Sequence, residues 1–489
     1  MNSPKLKNIS SLPGPFRLPL IGNLLQIRPE RIHQNFECWA QKYGSVYRVY
    51  FGPRPVLVIA NHQEIAGVLR ERPELFRRPT VTARVSQEMG GEVGLFVAEG
   101  VEWRNQRRMV MAGFAPGPIR AYLPTLKKVA RRLKARWEKA AHAGSAIDLA
   151  DDLKRYTVDI IAGLAFGTEV NTLESGEDII QKHLDQILPA IARRSLSLFP
   201  YWRYFKLPRD RRLDESLEIV RSEITRLIAQ AKQRLANEPE RGAHPQNLLE
   251  AMLVAAGSVG SGVSESAVIG NVSTMLLAGE DTTAHSIAWL IDLLHRNPEA
   301  LAKLQAEVKS CVAAAGDWEQ LDLAQLDGLA YLDACIQESM RIKPVGPYMP
   351  LEATKDTVIG NVRVPEHSLV WCTFRHDTLS EAHFAQAHAF KPERWLVSDD
   401  AANNADAFNK KASMPFGSGP RTCPGRYLAL LEIKIAFVML LSQFDIAGIQ
   451  TPDGREPEEL MAFTMSPIGM SLKLSPADYS VMTPPFIPL

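Results

Sequence analysis

Cysteine is scarce. The 489-residue chain has five, Cys38, Cys311, Cys335, Cys372 and Cys423, an odd number, widely scattered and without a CxxC pair. That argues against a disulfide framework or a structural zinc cluster and points to a reducing compartment. An excess of charge of either sign is also missing. Lys and Arg number 56 against 55 Asp and Glu, a formal net charge of +1. Nothing global then favours nucleic acid or strongly acidic substrates, and any electrostatic partner site is local. The opening MNSPKLKNISSLPGPFRLPLIGN lacks an apolar run long enough for a signal peptide or a spanning helix, because Pro13, Pro15 and Pro19 interrupt it. A second membrane candidate, SLFPYWRYFKLPRDRR, reads better as aromatics Phe199 to Phe205 packed under a loop with the basic residues in water. Membrane contact is therefore peripheral at most, and a soluble, cytoplasmic protein is expected. There is no low-complexity linker, no repeat and no G-x-G-x-x-G.

Strand signals are few. SVYRVYFGPRPVLVIA reads as a hairpin of Val46 to Phe51 and Pro55 to Ala60, and TVIGNVRVPEHSLVW as a weaker pair around Gly360. Apolar periodicity predicts helices at about 120–140, 154–165, 176–193, 212–236, 264–296, 299–313, 329–342 and 424–443, so the class is mainly α with a small β portion. The 264–296 stretch opens on Ser264 and Glu265 and stops at Asn297-Pro298, about 50 Å of helix that must cross the whole domain. Its middle, Ala278-Gly279-Glu280-Asp281-Thr282-Thr283, is poor helix chemistry, and local rules broken inside an element mark a functional site. A Thr282 hydroxyl can bond the Ala278 carbonyl four residues back. The alternative, a helix that ends there, is disfavoured because Ile287, Leu290, Ile291 and Leu294 continue the apolar face.

One cysteine stands apart. In MPFGSGPRTCPGR, Gly417, Gly419 and Gly425 allow tight or left-handed backbone, while Arg421 and Arg426 favour an anionic sulfur. Leu428, Leu431, Ile435 and Val438 follow at helical spacing, which places Cys423 at the mouth of an amphipathic helix whose dipole also favours negative charge. A thiolate so held suits an axial metal ligand.

Four separated stretches together resemble the haem-thiolate monooxygenases known as cytochromes P-450. FGSGPRTCPGR matches the family's cysteine loop at Phe416, Gly419, Arg421, Cys423 and Gly425, and AGEDTT is similar to its oxygen-activating segment, with Asp281 and Thr282 at the acid and alcohol positions. ESMR with FKPERW resembles a triad of Glu338, Arg341 and Arg394, and EWRNQRR, with Trp103 and Arg107, resembles the helix that holds a haem propionate. Two arginines on one carboxylate can form a buried, fully hydrogen-bonded unit, which in the family braces the cysteine loop. The resemblance covers nearly the whole chain. It implies the cytochrome P-450 fold, with a long central helix over the haem, residues 1–30 as a hinge-like segment and 31–489 as a single domain.

The resemblance further implies haem b (iron protoporphyrin IX) with the Cys423 thiolate as axial ligand, and Phe416, Gly417, Arg421, Gly425, Trp103, Arg107, Ala278 and Gly279 around it. Many relatives carry an arginine or histidine for a propionate where this chain has Leu351, so pairing would rest on Trp103, Arg107 and Arg421. Asp281 would relay protons and Thr282 deliver them, while small Ala278 and Gly279 leave room above the iron. Phe96, Val345, Met349 and Ile468 would wall the pocket. The product implied by the resemblance is a hydroxylated or epoxidised lipophile: fatty acyl chains lead, and terpenoids, steroids and polyketide-like molecules stay open. With no second cofactor module in the sequence, electrons from NAD(P)H are expected through a separate ferredoxin, flavodoxin or flavoprotein reductase. Such a donor would dock on Arg104, Arg107, Arg108, the 127–132 basic run, Lys410, Lys411 and Arg426. A monomer is expected. The rival readings are a haem-thiolate isomerase or dehydratase acting on peroxides, and a non-catalytic haem sensor or lipophile carrier.

Overall fold

The computed structural model describes residues 6–167, 169–175, 181–197, 199–396 and 410–477. It is 59% helical with a smaller sheet portion. The periodic stretches form helices at Pro116–Ala143, Leu149–Phe166, Gln181–Ser195, Pro208–Asn237, Glu265–Arg296, Pro298–Ala315, Ala330–Ile342 and Arg426–Gln443. Positions 176–180 of the expected third-listed helix lie outside the described residues. Helix ends follow local chemistry: the Asp148 and Ser264 side chains accept from the Asp151 and Ala267 N–H groups, and Gly144 and Gly167 end their helices with φ of 63°. Further helices at Ile32–Tyr43, His62–Arg70, Thr80–Glu88 and Leu248–Gly257 are not announced by periodicity. Gly100–Gly113, helical as the resemblance implied, buries mainly Trp103, Gln106, Met109 and Val110.

Val46–Phe51 and Arg54–Ile59 pair as the expected hairpin, with Val46 opposite Ile59. This hairpin is one edge of a five-stranded sheet that continues through Leu369–Thr373 and Tyr348–Ala353 to Phe76–Arg77. Arg54–Ile59 runs parallel to Leu369–Thr373, Val58 opposite Trp371. The weaker pair around Gly360 forms too, as Thr357–Ile359 and Val362–Val364, with Lys7–Asn8 added alongside. Near the C-terminus, Phe444–Gln450, Ser471–Pro476 and Ile147–Asp148 make a small sheet, and Glu459–Met461 with Met465–Pro467 a hairpin. The alternation in those strands is too brief to read from sequence.

The central helix Glu265–Arg296 runs unbroken through AGEDTT. Every residue from Thr283 to Leu294 is buried. Arg426–Gln443 differs from expectation. It is not amphipathic but buried from Leu431 to Ser442 without interruption, because it lies between Pro116–Ala143, Pro298–Ala315 and the central helix. No helix among the described residues is long and apolar enough to cross a membrane.

Candidate active site

The cysteine loop is set by two left-handed glycines, Gly417 with φ of 73° and Gly419 with φ of 71°. A Cβ on Gly419 would lie 2.5 Å from the Leu69 carbonyl, so the loop sits directly on His62–Arg70 and admits no side chain there. Gly425 takes the tight-turn alternative and not the left-handed one. Its φ is −83°, and its N–H points at the cysteine sulfur. The Cys423 N–H donates to the Phe416 carbonyl at 3.0 Å. Its thiol is solvent-accessible, yet protein surrounds it closely enough that burial raises its pKa, while the Gly425 N–H and the cations Arg107 and Arg426 pull the other way. Local accessibility and dense surroundings agree if the sulfur opens onto an internal hollow. Arg426 also lies 5.7 Å over the Phe416 ring.

Behind the loop, Glu338 is fully buried and accepts five hydrogen bonds. Arg341 gives two, Nε and Nη2 each at 2.8 Å, and Arg394 Nε gives one at 3.0 Å. Trp395 Nε1 at 2.8 Å and the Lys391 N–H at 2.9 Å complete the set. Sequence reasoning missed Trp395, which follows Arg394 directly. The ring of Phe384 stacks under both guanidiniums and packs on Ala412, at the start of the cysteine loop. A rigid ionic cluster is thereby coupled to the loop by apolar contact.

On the central helix, Thr282 Oγ1 donates to the Ala278 carbonyl at 2.7 Å. Asp281 is not free: Lys154 Nζ lies 3.1 Å from its Oδ1, and His285 Nε2 3.9 Å. His285 in turn meets Thr464 Oγ1 at 3.0 Å, and burial holds its pKa down at about 4. Lys154 carries no signal in the sequence: it stands beside Arg155 in the charged first half of Leu149–Phe166, with Asp151 and Asp152 just before it. Gly279 requires a correction. A Cβ there would come 2.5 Å from Ile161 Cδ1, so its smallness lets Leu149–Phe166 approach the central helix and does not open space on the cavity side.

A cluster of cations lies beside this loop. Trp103 is buried, and Arg421 sits 5.0 Å above its ring. Arg421 Nη1 donates to Glu99 Oε1 at 2.8 Å, and the same carboxylate oxygen accepts from the Arg78 N–H at 3.0 Å. Arg107 lies close enough to Cys423 for the two to influence each other's ionisation, and burial lowers its pKa. Arg72 is buried, with Nη1 3.3 Å from Met349 Sδ, and the Arg78 guanidinium lies 3.9 Å over the Phe96 ring. Leu351 is fully buried in the sheet's apolar core.

A cavity of about 260 Å³ is lined by Phe96, Val97, Leu184, Leu188, Ile224 and Ala278 among others. Val345, Met349 and Ile468 do not line it. Met349 and Val345 pack into sheet cores, and Ile468 is partly exposed beyond the Glu459–Met461 hairpin. The turn of that hairpin instead brings Phe463 to the wall, 5.8 Å from Phe96. Arg221 is the one cation among the lining residues and Glu92 the one acid, held by Ser266.

Most of the basic run is engaged. Arg131 pairs with Glu319, Lys128 and Arg132 with Glu169, and Arg104 with Glu74. Arg108, Lys411 and Arg426 remain exposed without a carboxylate partner among the described residues.

The family model described as Cytochrome P-450 matches residues 12–474. A self-sufficient cytochrome P-450 monooxygenase of Aspergillus niger is 28% identical over 90% of this chain and 41% of its own length. The chain thus spans less than half of that relative. A carotene epsilon-monooxygenase of Arabidopsis thaliana, chloroplastic, is 28% identical over 83% of this chain and 76% of its own. In fold, the chain is similar to the crystal structure of a cytochrome P-450DA heme domain, with a TM-score of 0.80, 22% identity, and 97% and 99% of the two chains covered.

Proposed function

The chain belongs to the cytochrome P-450 family of haem-thiolate monooxygenases, and on that footing we propose that it inserts one oxygen atom of O2 into a lipophilic small molecule. The carrying observation is the accessible Cys423 thiol on a loop fixed by left-handed glycines and braced through Phe384 by the Glu338 cluster. The residues present fit a haem: a thiol for the iron, Trp103 and cations for the carboxylates, and Ala278 on an apolar cavity. Bound there, the haem supplies oxygen activation, which thiolate ligation favours.

The chain's own part is to bind, orient and move protons. Thr282, tethered to the Ala278 carbonyl, holds a hydroxyl that can give up a proton and regain one. Asp281, bridged to Lys154, is the entry point from outside. The apolar walls orient the substrate, and Arg221 at the cavity suits an acid group at one end, which favours fatty acyl chains. Terpenoids remain the alternative, in keeping with the carotene relative. Electrons come from a separate redox protein docking near Arg108, Lys411 and Arg426. Residues 31–489 act as one haem domain in a reducing, cytoplasmic setting, in keeping with the buried free thiols Cys335 and Cys372.

The test uses holoprotein with an active substrate and reductase. Thr282→Val should keep consuming reductant while product per electron falls and hydrogen peroxide rises. Unchanged coupling would remove Thr282 from proton delivery. No substrate-stimulated oxygen uptake in the parent protein would favour the isomerase or carrier. Retention of the red-shifted Soret band under carbon monoxide by Cys423→Ala would overturn the ligand assignment.

A further inference from the structure

Guanidiniums are seldom buried without anions, because each must shed water that only a partner replaces. This chain holds two of them together, Arg72 buried and Arg78 half-buried with its Nε shielded from water, and neither has a carboxylate of its own. Arg72, only 3% exposed, touches Met349 Sδ through Nη1, and its Nε meets no acceptor. Arg78 stacks on Phe96, and its Nε is likewise without an acceptor. The nearby Arg421 takes Glu99. Three guanidiniums beside one carboxylate leave two positive charges uncompensated. Burial and mutual repulsion drive the pKa of Arg72 down to about 10 and that of Arg78 well below its ordinary value. A third orphan, Glu99 Oε2, marks the same place as incomplete in hydrogen bonds.

The strand Tyr348–Ala353 explains why the cations come from elsewhere. Leu351 faces the apolar core with Phe76 and Val370, so it offers no charge. Met349, two residues earlier and on the same strand face, is where Arg72 arrives. We propose that Arg72 and Arg78 bind the two haem propionates, supplying from the 72–78 segment the positive charge that the strand lacks at Leu351. Two carboxylates match the two uncompensated charges in number and, as planar acceptors, match guanidinium in geometry. This inference rests on the haem reading above.

The experiment compares the natural haem with its dimethyl ester, which keeps the ring and iron but has no carboxylates. Wild type, Arg72→Met, Arg78→Met and the milder Arg72→Lys are each loaded with either form, and transfer to excess apomyoglobin is timed. The methionine variants should release natural haem about ten- to a hundredfold faster than wild type, and Arg72→Lys at an intermediate rate. All four should release the ester at one rate. Wild-type release of natural haem by both methionine variants overturns the proposal, as does equal acceleration with both haem forms, which would mean a purely structural role. If the wild-type protein takes up neither form, the haem reading itself fails, and that outcome is distinct from the other two.

Discussion

Replacing Glu432 with glutamine should shift folding stability progressively in the variant's favour, relative to wild type, as pH rises from 5 to 8. Glu432 lies on Arg426–Gln443, 1% exposed, against the central helix. Burial pushes its pKa from 4.5 up to about 8. The Thr283 hydroxyl is near enough to offset this in part, but neither carboxyl oxygen meets a partner in formed hydrogen-bond geometry. The folded chain therefore keeps this carboxyl protonated over a range in which the unfolded chain has released the proton. Each pH unit between the two values costs about 1.4 kcal/mol, so the stability present below pH 4.5 is eroded by about 3 kcal/mol at pH 7. Glutamine ionises in neither state and escapes this loss. Its extra N–H costs about 1–3 kcal/mol where no acceptor waits, but equally at every pH. The readout is thus the pH trend: between pH 5 and 8 the difference in unfolding free energy should move by about 4 kcal/mol toward the variant. Urea unfolding of the haem-loaded proteins, followed by tryptophan fluorescence at four pH values and constant salt, measures it. Parallel pH profiles for the two proteins would refute the reasoning.

Two further outcomes are expected. Glu338→Ala should strand Arg341 and Arg394 as buried cations, costing about 3–5 kcal/mol and with it most haem-loaded protein; a normal yield, judged by the Soret-to-protein absorbance ratio, would show that the cluster does not brace the loop. Arg108→Glu with Arg426→Glu should slow reduction by an acidic donor at low salt, an effect that fades as salt rises, without moving the substrate-binding spectrum; stopped-flow reduction rates insensitive to both substitution and salt would place the donor elsewhere.

The sequence by itself determined the helical class, the long central helix and the identity of Cys423, Glu338, Arg341 and Thr282 as special positions. Each rests on a local signal: a sustained period near 3.6, a cap such as Ser264, or residues packed into one short motif. The first hairpin was legible for the same reason, since its partners are neighbours in the chain. What a residue meets across the fold was not. Gly279 looked like space above a metal and proved to be space for Ile161, because only packing decides which side of a helix a missing side chain serves. Ile468 lay close in sequence to Phe463, which does line the cavity, but a two-stranded hairpin sends its turn, not its tail, to that wall. Arg72 and Arg78 carry no motif at all. Charges are cheap to place in a sequence and costly to bury, and that cost became visible only when the fold brought both guanidiniums beside Glu99 and Arg421 with two charges left over.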